Sequence, residues 1–269
     1  KLTPALSEHA NNISLNEQLF ARVKAVYDKR ESLQLTPEER RLLEKSYDGF
    51  VRNGANLSEE DKATFRKLSM ELSSLTLKFS QNHLKETNGY ELVLHTEDEL
   101  AGLPESAIEA HTAHEKGKEG CWVITLQAPS YVPFMKYSDK RELRKTLYMA
   151  YNTQCCHDNE FNNLKIVEQL VNLRMELAQL LGFKNYAEYV LKKRMAEHSE
   201  NDLLEAYTPT ARQEVEEIRA LARELEGEDF ELMPWDFSYY AEKLKNRKFS
   251  LDEEALRPYF ELSRVKAGV

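Results

Sequence analysis

The apolar positions of this chain fall mostly at helical spacing. Between Asp158 and Met195, Ile166, Leu170, Leu173, Leu177 and Leu180 recur at intervals that alternate between four and three residues. Such a run paints one apolar stripe along a helix. Gly182 follows Leu181, and a glycine just past the last periodic residue predicts a C-terminal stop. A second short helix with Tyr186, Tyr189 and Val190 is expected from Asn185 onward.

Upstream, Leu15, Leu19, Val23 and Val26 predict one helix over 13–29. Thr36-Pro37-Glu38-Glu39 reads as an N-cap, a proline at the first helical position and acids in the first turn. That helix carries Leu42, Leu43, Tyr47, Phe50 and Val51. Ser58-Glu59-Glu60-Asp61 approximates a capping box for a long helix with Phe65, Leu68, Leu72, Leu75 and Phe79 on one stripe. Met70, Leu77 and Leu84 add a second face. Helical from Ser58 to Asn88, it would measure roughly 46 Å. Downstream, Asp139 and Glu142 read as a capping box for a helix with Leu143 and Leu147. Ser199 to Asp202 opens a helix with Leu204, Tyr207, Ala211, Ile218 and Ala222, which Pro209 is placed to kink. Trp235 to Leu244 predicts a shorter aromatic helix, and Ser250 to Glu253 another capping box.

Gly89 changes the period. Tyr90–His95 and Cys121–Gln127 are β-branched or aromatic enough to predict short strands of a small sheet resting on helices. Between them a helix is expected from Glu105 to Glu115. The stretch 128–138, with Pro129 and Pro133, is expected to be extended and irregular. The fold class is therefore mainly α: long packed antiparallel helices with a small β element near 90–95 and 121–127. The chain 1–269 reads as one helical body, with 1–88 helical, 89–138 a small α/β insertion and 139–269 helical.

Composition narrows this further. With nine glycines and eight prolines in 269 residues, the chain lacks the turns of a sandwich or barrel. A net charge of −9 argues against nucleic acid or an anionic membrane surface as partner. No apolar run approaches the roughly 20 residues that span a bilayer, and no signal peptide is visible. Three cysteines, with Cys155 and Cys156 adjacent, make no disulfide framework and suit a reducing compartment, so the cytoplasm is the expected location. The chain begins at Lys1 without methionine and stops at Val269 inside an apolar phrase, and is expected to be a piece of a longer protein.

The search for catalytic constellations is mainly negative. There is no GxSxG elbow, Walker A loop or GxGxxG. Cys155, Cys156 and His157 read as a helix-end loop rather than a Cys-His nucleophile. His111 and His114 stand three apart on the expected helix, with Glu115 and Cys121 as further candidate metal ligands, weighed against a polar helix end. His114-Glu115 fails as HExxH, because the required second His is Lys118. Trp235, Tyr239 and Tyr240 form an aromatic cluster beside Asp236, whose alternatives are core packing and the lining of a substrate channel. No catalytic residue and no metal ligand is assigned.

Several ordered phrases resemble one family: ELAGLPES (99–106), WVITLQAPSYVPFMKYSDKRELRKTLYMAYNT (122–153), the Asp158–Met195 stretch, PWDFSYYAEKL (234–244) and, upstream, NLSEEDKATFRKLSMELSSLTLKFSQN (56–82). They are similar to the thimet oligopeptidase and peptidyl-dipeptidase family of zinc metallopeptidases, above all its bacterial peptidyl-dipeptidase branch. The resemblance implies a two-lobed, clam-like, mainly helical enzyme with a deep channel. It also implies one zinc held by HExxH and a downstream Glu, with the motif Glu activating water. In the family's order those residues lie beyond Val269, so none is carried onto this sequence. What is implied here is wall and scaffold, inactive alone and without zinc, of a parent that releases dipeptides from the C-termini of short peptides. Exposed apolar faces are expected to self-associate. The competing expectation is an all-helical interaction module with no enzymatic activity.

Overall fold

The computed structural model describes residues 2–112, 119–194, 200–250 and 256–268. His114, Glu115, Ser199 and the acidic end of the 250–253 cap lie outside the described residues. In order come α1 (Thr3–Ser14), α2 (Glu17–Asp28), α3 (Pro37–Arg52), α4 (Glu59–Gly89), β1 (Leu92–Leu94), α5 (Glu105–His111) and β2 (Trp122–Ile124). Then follow α6 (Ala128–Tyr137), α7 (Arg141–Asn152), α8 (Leu164–Leu180), α9 (Tyr186–Leu191), α10 (Glu200–Glu226), α11 (Phe237–Phe249) and α12 (Leu262–Gly268). The architecture is mainly α, as the apolar pattern predicts. The chain forms two compact units, Lys1–Leu84 with Cys155–Glu200, and Lys85–Gln154 with Asn201–Val269.

In the first unit, α8 carries the organising stripe. Ile166, Leu170, Leu173 and Leu177 are buried, and Leu173 and Leu177 pack with Leu15, Phe65 and Leu68. Removing the side chain of such a leucine beyond Cβ costs about 2–5 kcal/mol, because the transfer and cavity terms add. The helix ends as expected. Gly182 takes φ +81, the Phe183 N–H donates to the Ala178 carbonyl at 2.9 Å, and the Gly182 N–H donates to Gln179 at 2.9 Å. This is a Schellman closure, which needs a left-handed residue. Asn185 then caps α9 by accepting the Glu188 N–H at 2.8 Å. At the other end of α8, buried Asn163 accepts from the Asn82 side chain at 2.9 Å and donates to the Phe79 carbonyl at 3.1 Å, which fixes α8 against α4.

The Thr36–Glu39 capping box forms in both directions, at 3.3 and 2.9 Å. Ser58 accepts the Asp61 N–H at 3.1 Å to open α4. The single helix expected over 13–29 is instead broken at Leu15-Asn16. Asn16 turns extended and its side chain accepts the Leu19 N–H at 2.8 Å, starting α2 afresh. A side chain able to cap offers the backbone an alternative to continuing the helix. The restart leaves Leu19 and Val26 exposed, while Phe20 and Tyr27 turn inward onto Tyr47 of α3.

In the second unit, β1 and β2 pair antiparallel with Leu92 opposite Ile124 and Leu94 opposite Trp122. Both are shorter than the expected 90–95 and 121–127. Leu94, Ile124, Phe134 and Leu147 are fully enclosed in one cluster, which also holds Leu100, Leu103, Leu126 and Met135. A second cluster joins Ile218 and Ala222 of α10 to Tyr239 and Tyr240 of α11.

Three expectations are corrected here. The stretch expected to be extended over 128–138 is α6. Pro129 sits in its first turn, where a missing N–H costs nothing, and burial of Phe134 and Met135 outweighs the one bond lost at Pro133. Asp139 does not cap α7; its carboxylate accepts the Tyr239 hydroxyl instead, at 2.6 Å. The aromatic helix starts later than expected, because Trp235 lies in a 3₁₀ turn, Pro234–Asp236, that precedes α11. Along α10, which runs through Pro209, Leu204 and Tyr207 are exposed and only the later part of the stripe, at Ile218 and Ala222, is buried.

The turn before α5 shows why one glycine is required. Gly102 has φ +87, and a Cβ there would lie 2.3 Å from the Tyr137 carbonyl oxygen. That close approach lets the Asp139 N–H reach the Ala101 carbonyl at 2.8 Å and sets Asp139 beneath Tyr239.

Candidate functional site

A dense polar cluster lies in the second unit, around Asp236. Its side chain has 0% exposure and takes hydrogen bonds from three residues. Arg141 approaches with Nε at 3.1 Å from each oxygen and Nη2 at 2.7 Å from Oδ2. Arg144 donates from Nη2 at 2.9 Å, and the Met233 N–H donates at 3.1 Å. Burial pushes the Asp236 carboxyl up, but the two guanidinium groups and the amide more than offset it and hold it below its ordinary value. Arg144 spends its other donors on the Ser138 carbonyl at 2.7 Å and the Trp235 carbonyl at 3.4 Å.

The three residues expected to line a channel surround this cluster. Tyr239 is buried under the Arg144 guanidinium, 4.1 Å from its ring centroid. Tyr240 is 2% exposed, and its hydroxyl donates to Glu226 at 3.0 Å. Burial, and then the carboxylate each one meets, pushes both phenols well above their ordinary value. Trp235 is half-buried, with its ring edge-on to Tyr148 and the Lys145 ammonium 5.2 Å above it. Its indole N–H is buried and has no acceptor among the described residues. The cluster binds α7 to α11 and presents no exposed nucleophile beside a base.

Of the candidate metal ligands, His111 and Cys121 lie among the described residues. The His111 Nδ1 faces the Ala107 carbonyl, which can only accept, so Nδ1 carries a hydrogen. Nε2 pairs with the Ser130 hydroxyl at 2.8 Å, whose oxygen also accepts the Thr125 N–H at 2.9 Å. Both ring nitrogens are thus engaged by protein. Cys121 Sγ lies 3.3 Å from His95 Nδ1, a pairing with no sequence signal because the two are far apart in the chain. Among the described residues no group of three or more His, Cys, Asp or Glu could hold a metal ion. Cys155 is buried at φ +58, and its carbonyl accepts the Asn163 N–H at 2.8 Å in the loop that leads into α8.

The first unit contains an open groove of about 550 Å³ along α4, α8 and α9. Its apolar floor includes Phe65, Leu72 and Leu177. One wall is a row of hydroxyls on α4, Ser69, Ser73, Thr76 and Ser80. The other carries Arg174, whose guanidinium lies 5.4 Å from the centroid of the Tyr186 ring. Each of these residues is bland in the sequence, but the hydroxyl row repeats at the same four-three-four interval as the apolar stripe beside it. That repeat is the signal by which the groove could have been found.

The sequence profile of peptidase family M3 matches residues 134–269. Oligopeptidase A of Haemophilus influenzae is 35% identical over 278 residues, covering 99% of this chain and 40% of that protein. Dipeptidyl carboxypeptidase of Escherichia coli is 38% identical over 268 residues, covering 97% of this chain and 39% of that protein. Probable cytosolic oligopeptidase A of Arabidopsis thaliana is 34% identical over 264 residues, covering 93% of this chain and 38% of that protein. The chain thus spans about 40% of the length of the curated relatives it matches. Among the described residues no helix is long and apolar enough to cross a membrane.

Proposed function

This chain belongs to peptidase family M3, and from that premise we propose that it forms the non-catalytic scaffold and channel wall of a zinc metallopeptidase. The parent hydrolyses short peptides and releases dipeptides from their C-termini. One observation carries the reading: a relative named dipeptidyl carboxypeptidase aligns with 97% of this chain at 38% identity, whereas HExxH occurs nowhere in the 269 residues. Zinc and its water therefore belong to residues this chain does not supply. Trp235, Tyr239 and Tyr240 enter the proposal as wall rather than as catalysts. The buried phenols stiffen the turn that carries Trp235.

Two further parts belong to the same proposal. The outer face of α8 exposes Leu164, Val167, Val171 and Met175 in a line opposite its buried stripe. Surfaces of this kind associate, so the isolated chain self-associates through α8. The compartment is the cytoplasm, in keeping with the relative named as cytosolic.

The test is zinc content and product analysis for the longest protein that carries this chain in its reading frame. Chelator-sensitive release of C-terminal dipeptides from short peptides is expected. Cleavage into longer pieces would overturn the dipeptide specificity. A protein that binds no zinc and cleaves no peptide would overturn the whole reading in favour of an interaction module.

A further inference from the structure

The groove of the first unit holds Arg174, which has no carboxylate partner among the described residues. On α8 the positions three and four residues from Arg174 are Leu170, Val171, Leu177 and Ala178, all apolar, so its own helix offers it no carboxylate. Its aromatic neighbour Tyr186 orients the guanidinium but does not neutralise it. Other cations of this unit do hold carboxylates: Lys24 pairs with Asp28, Arg40 with Glu31, and Lys62 with Glu17 and Glu59. Arg174 stands in a cavity of about 550 Å³, within the size range of small-ligand sites.

We propose that this groove binds a short extended peptide whose carboxylate, from a side chain or the C-terminus, pairs with Arg174. The substrate class in this inference rests on the peptidase reading above; the groove and its cation do not. Charge complementarity selects an acidic group, since guanidinium recognises a carboxylate through two parallel N–H bonds. The length selects a peptide over a small anion. From Ser69 to Ser80 the hydroxyl row runs roughly 16 Å along α4, which matches about five residues of extended chain. Hydroxyls can both donate to and accept from the backbone of such a chain. Ser69 and Ser73 hold long bonds to α1, to Asn11 and Ser7 at 3.4 Å each, and Ser80 donates to the Thr76 carbonyl at 3.0 Å. The floor of Phe65, Leu72 and Leu177 accepts apolar side chains between them.

The experiment is a calorimetric titration of the 269-residue chain with three probes: an acidic pentapeptide with a free C-terminus, its neutral amidated counterpart, and inorganic phosphate. The acidic peptide binds, the neutral one binds at least tenfold more weakly, and salt weakens the acidic one. Arg174→Gln removes that preference, and Thr76→Tyr, on the exposed edge of the groove, blocks both peptides. Unchanged melting by circular dichroism shows that each variant is folded. Binding of the acidic peptide unaltered by Arg174→Gln overturns the inference. So does phosphate that displaces the peptide at equal concentration, or the absence of peptide binding altogether. Hydrolysis by the longer protein is read separately, so intact hydrolysis with no binding here sinks this inference alone.

Discussion

Replacing Asp236 with leucine is the sharpest perturbation of the second unit. It leaves two guanidinium groups without their carboxylate, and their surroundings decide the cost. The Arg144 side chain is 2% exposed and cannot rehydrate in place, and removing one partner of a buried ion pair costs about 3–5 kcal/mol. Two carbonyls still accept from Arg144, which puts its share near the lower end. The Arg141 side chain is 39% exposed and recovers water, so its share stays below about 1 kcal/mol. The expected loss is about 3–4 kcal/mol, or a fall in Tm of about 10 °C or more for a unit of this size. Trp122 and Trp235 are the two tryptophans of the chain and both lie in this unit, so fluorescence-detected urea unfolding reads its stability directly. The double variant Asp236→Leu/Arg144→Met recovers much of the loss, because apolar groups of similar volume can replace a buried pair at little cost. A loss under about 1 kcal/mol in the single variant, or no recovery in the double, would refute the buried-charge argument.

The remaining predictions use the same unit. Because Asp236 titrates below its ordinary value, its stabilising contribution is present above the unfolded value of about 3.9 and is lost as pH falls through the folded one. Fluorescence-detected stability should therefore drop below about pH 4 in the natural chain and vary less in Asp236→Leu. At the alkaline end Tyr131, stacked on Tyr151, is pushed up to about 12 by burial and then by its tyrosine neighbours. That contribution holds below the unfolded value of about 10 and fades as pH rises toward 12, which alkaline unfolding followed by far-ultraviolet dichroism checks. Gly102→Ala forces a Cβ into the Tyr137 carbonyl at a left-handed φ, and should cost about 2–4 kcal/mol in the same urea assay.

The sequence made visible whatever depended on neighbours within a few residues. The Thr36–Glu39 box, the Ser58 cap and the Gly182 closure are local chemistry, and each forms as the residues predict. The stripes of α4 and α8 were legible because 3.6-residue periodicity is itself local. Where two local signals competed, the weaker-looking one won: Asn16 capping broke a stripe that ran through it, and core burial carried α6 past two prolines. The Asp236 cluster was half legible. Its aromatic members are adjacent in sequence, whereas Arg141 and Arg144 arrive from more than 90 residues away, and no periodicity reports such a pairing. Asp139 shows the same limit, since its spacing to Glu142 suits a cap while its real partner is Tyr239. The groove was hidden for another reason: an arginine without an acid beside it becomes informative only once a cavity is seen around it.

The central claim is that this chain walls a peptidase whose catalyst lies in other residues. The most direct measurement is zinc content together with peptide hydrolysis for the 269-residue chain itself, with and without a chelator. The account predicts no retained zinc and no cleavage of short peptides. Hydrolysis that follows bound zinc and stops on chelation would contradict it.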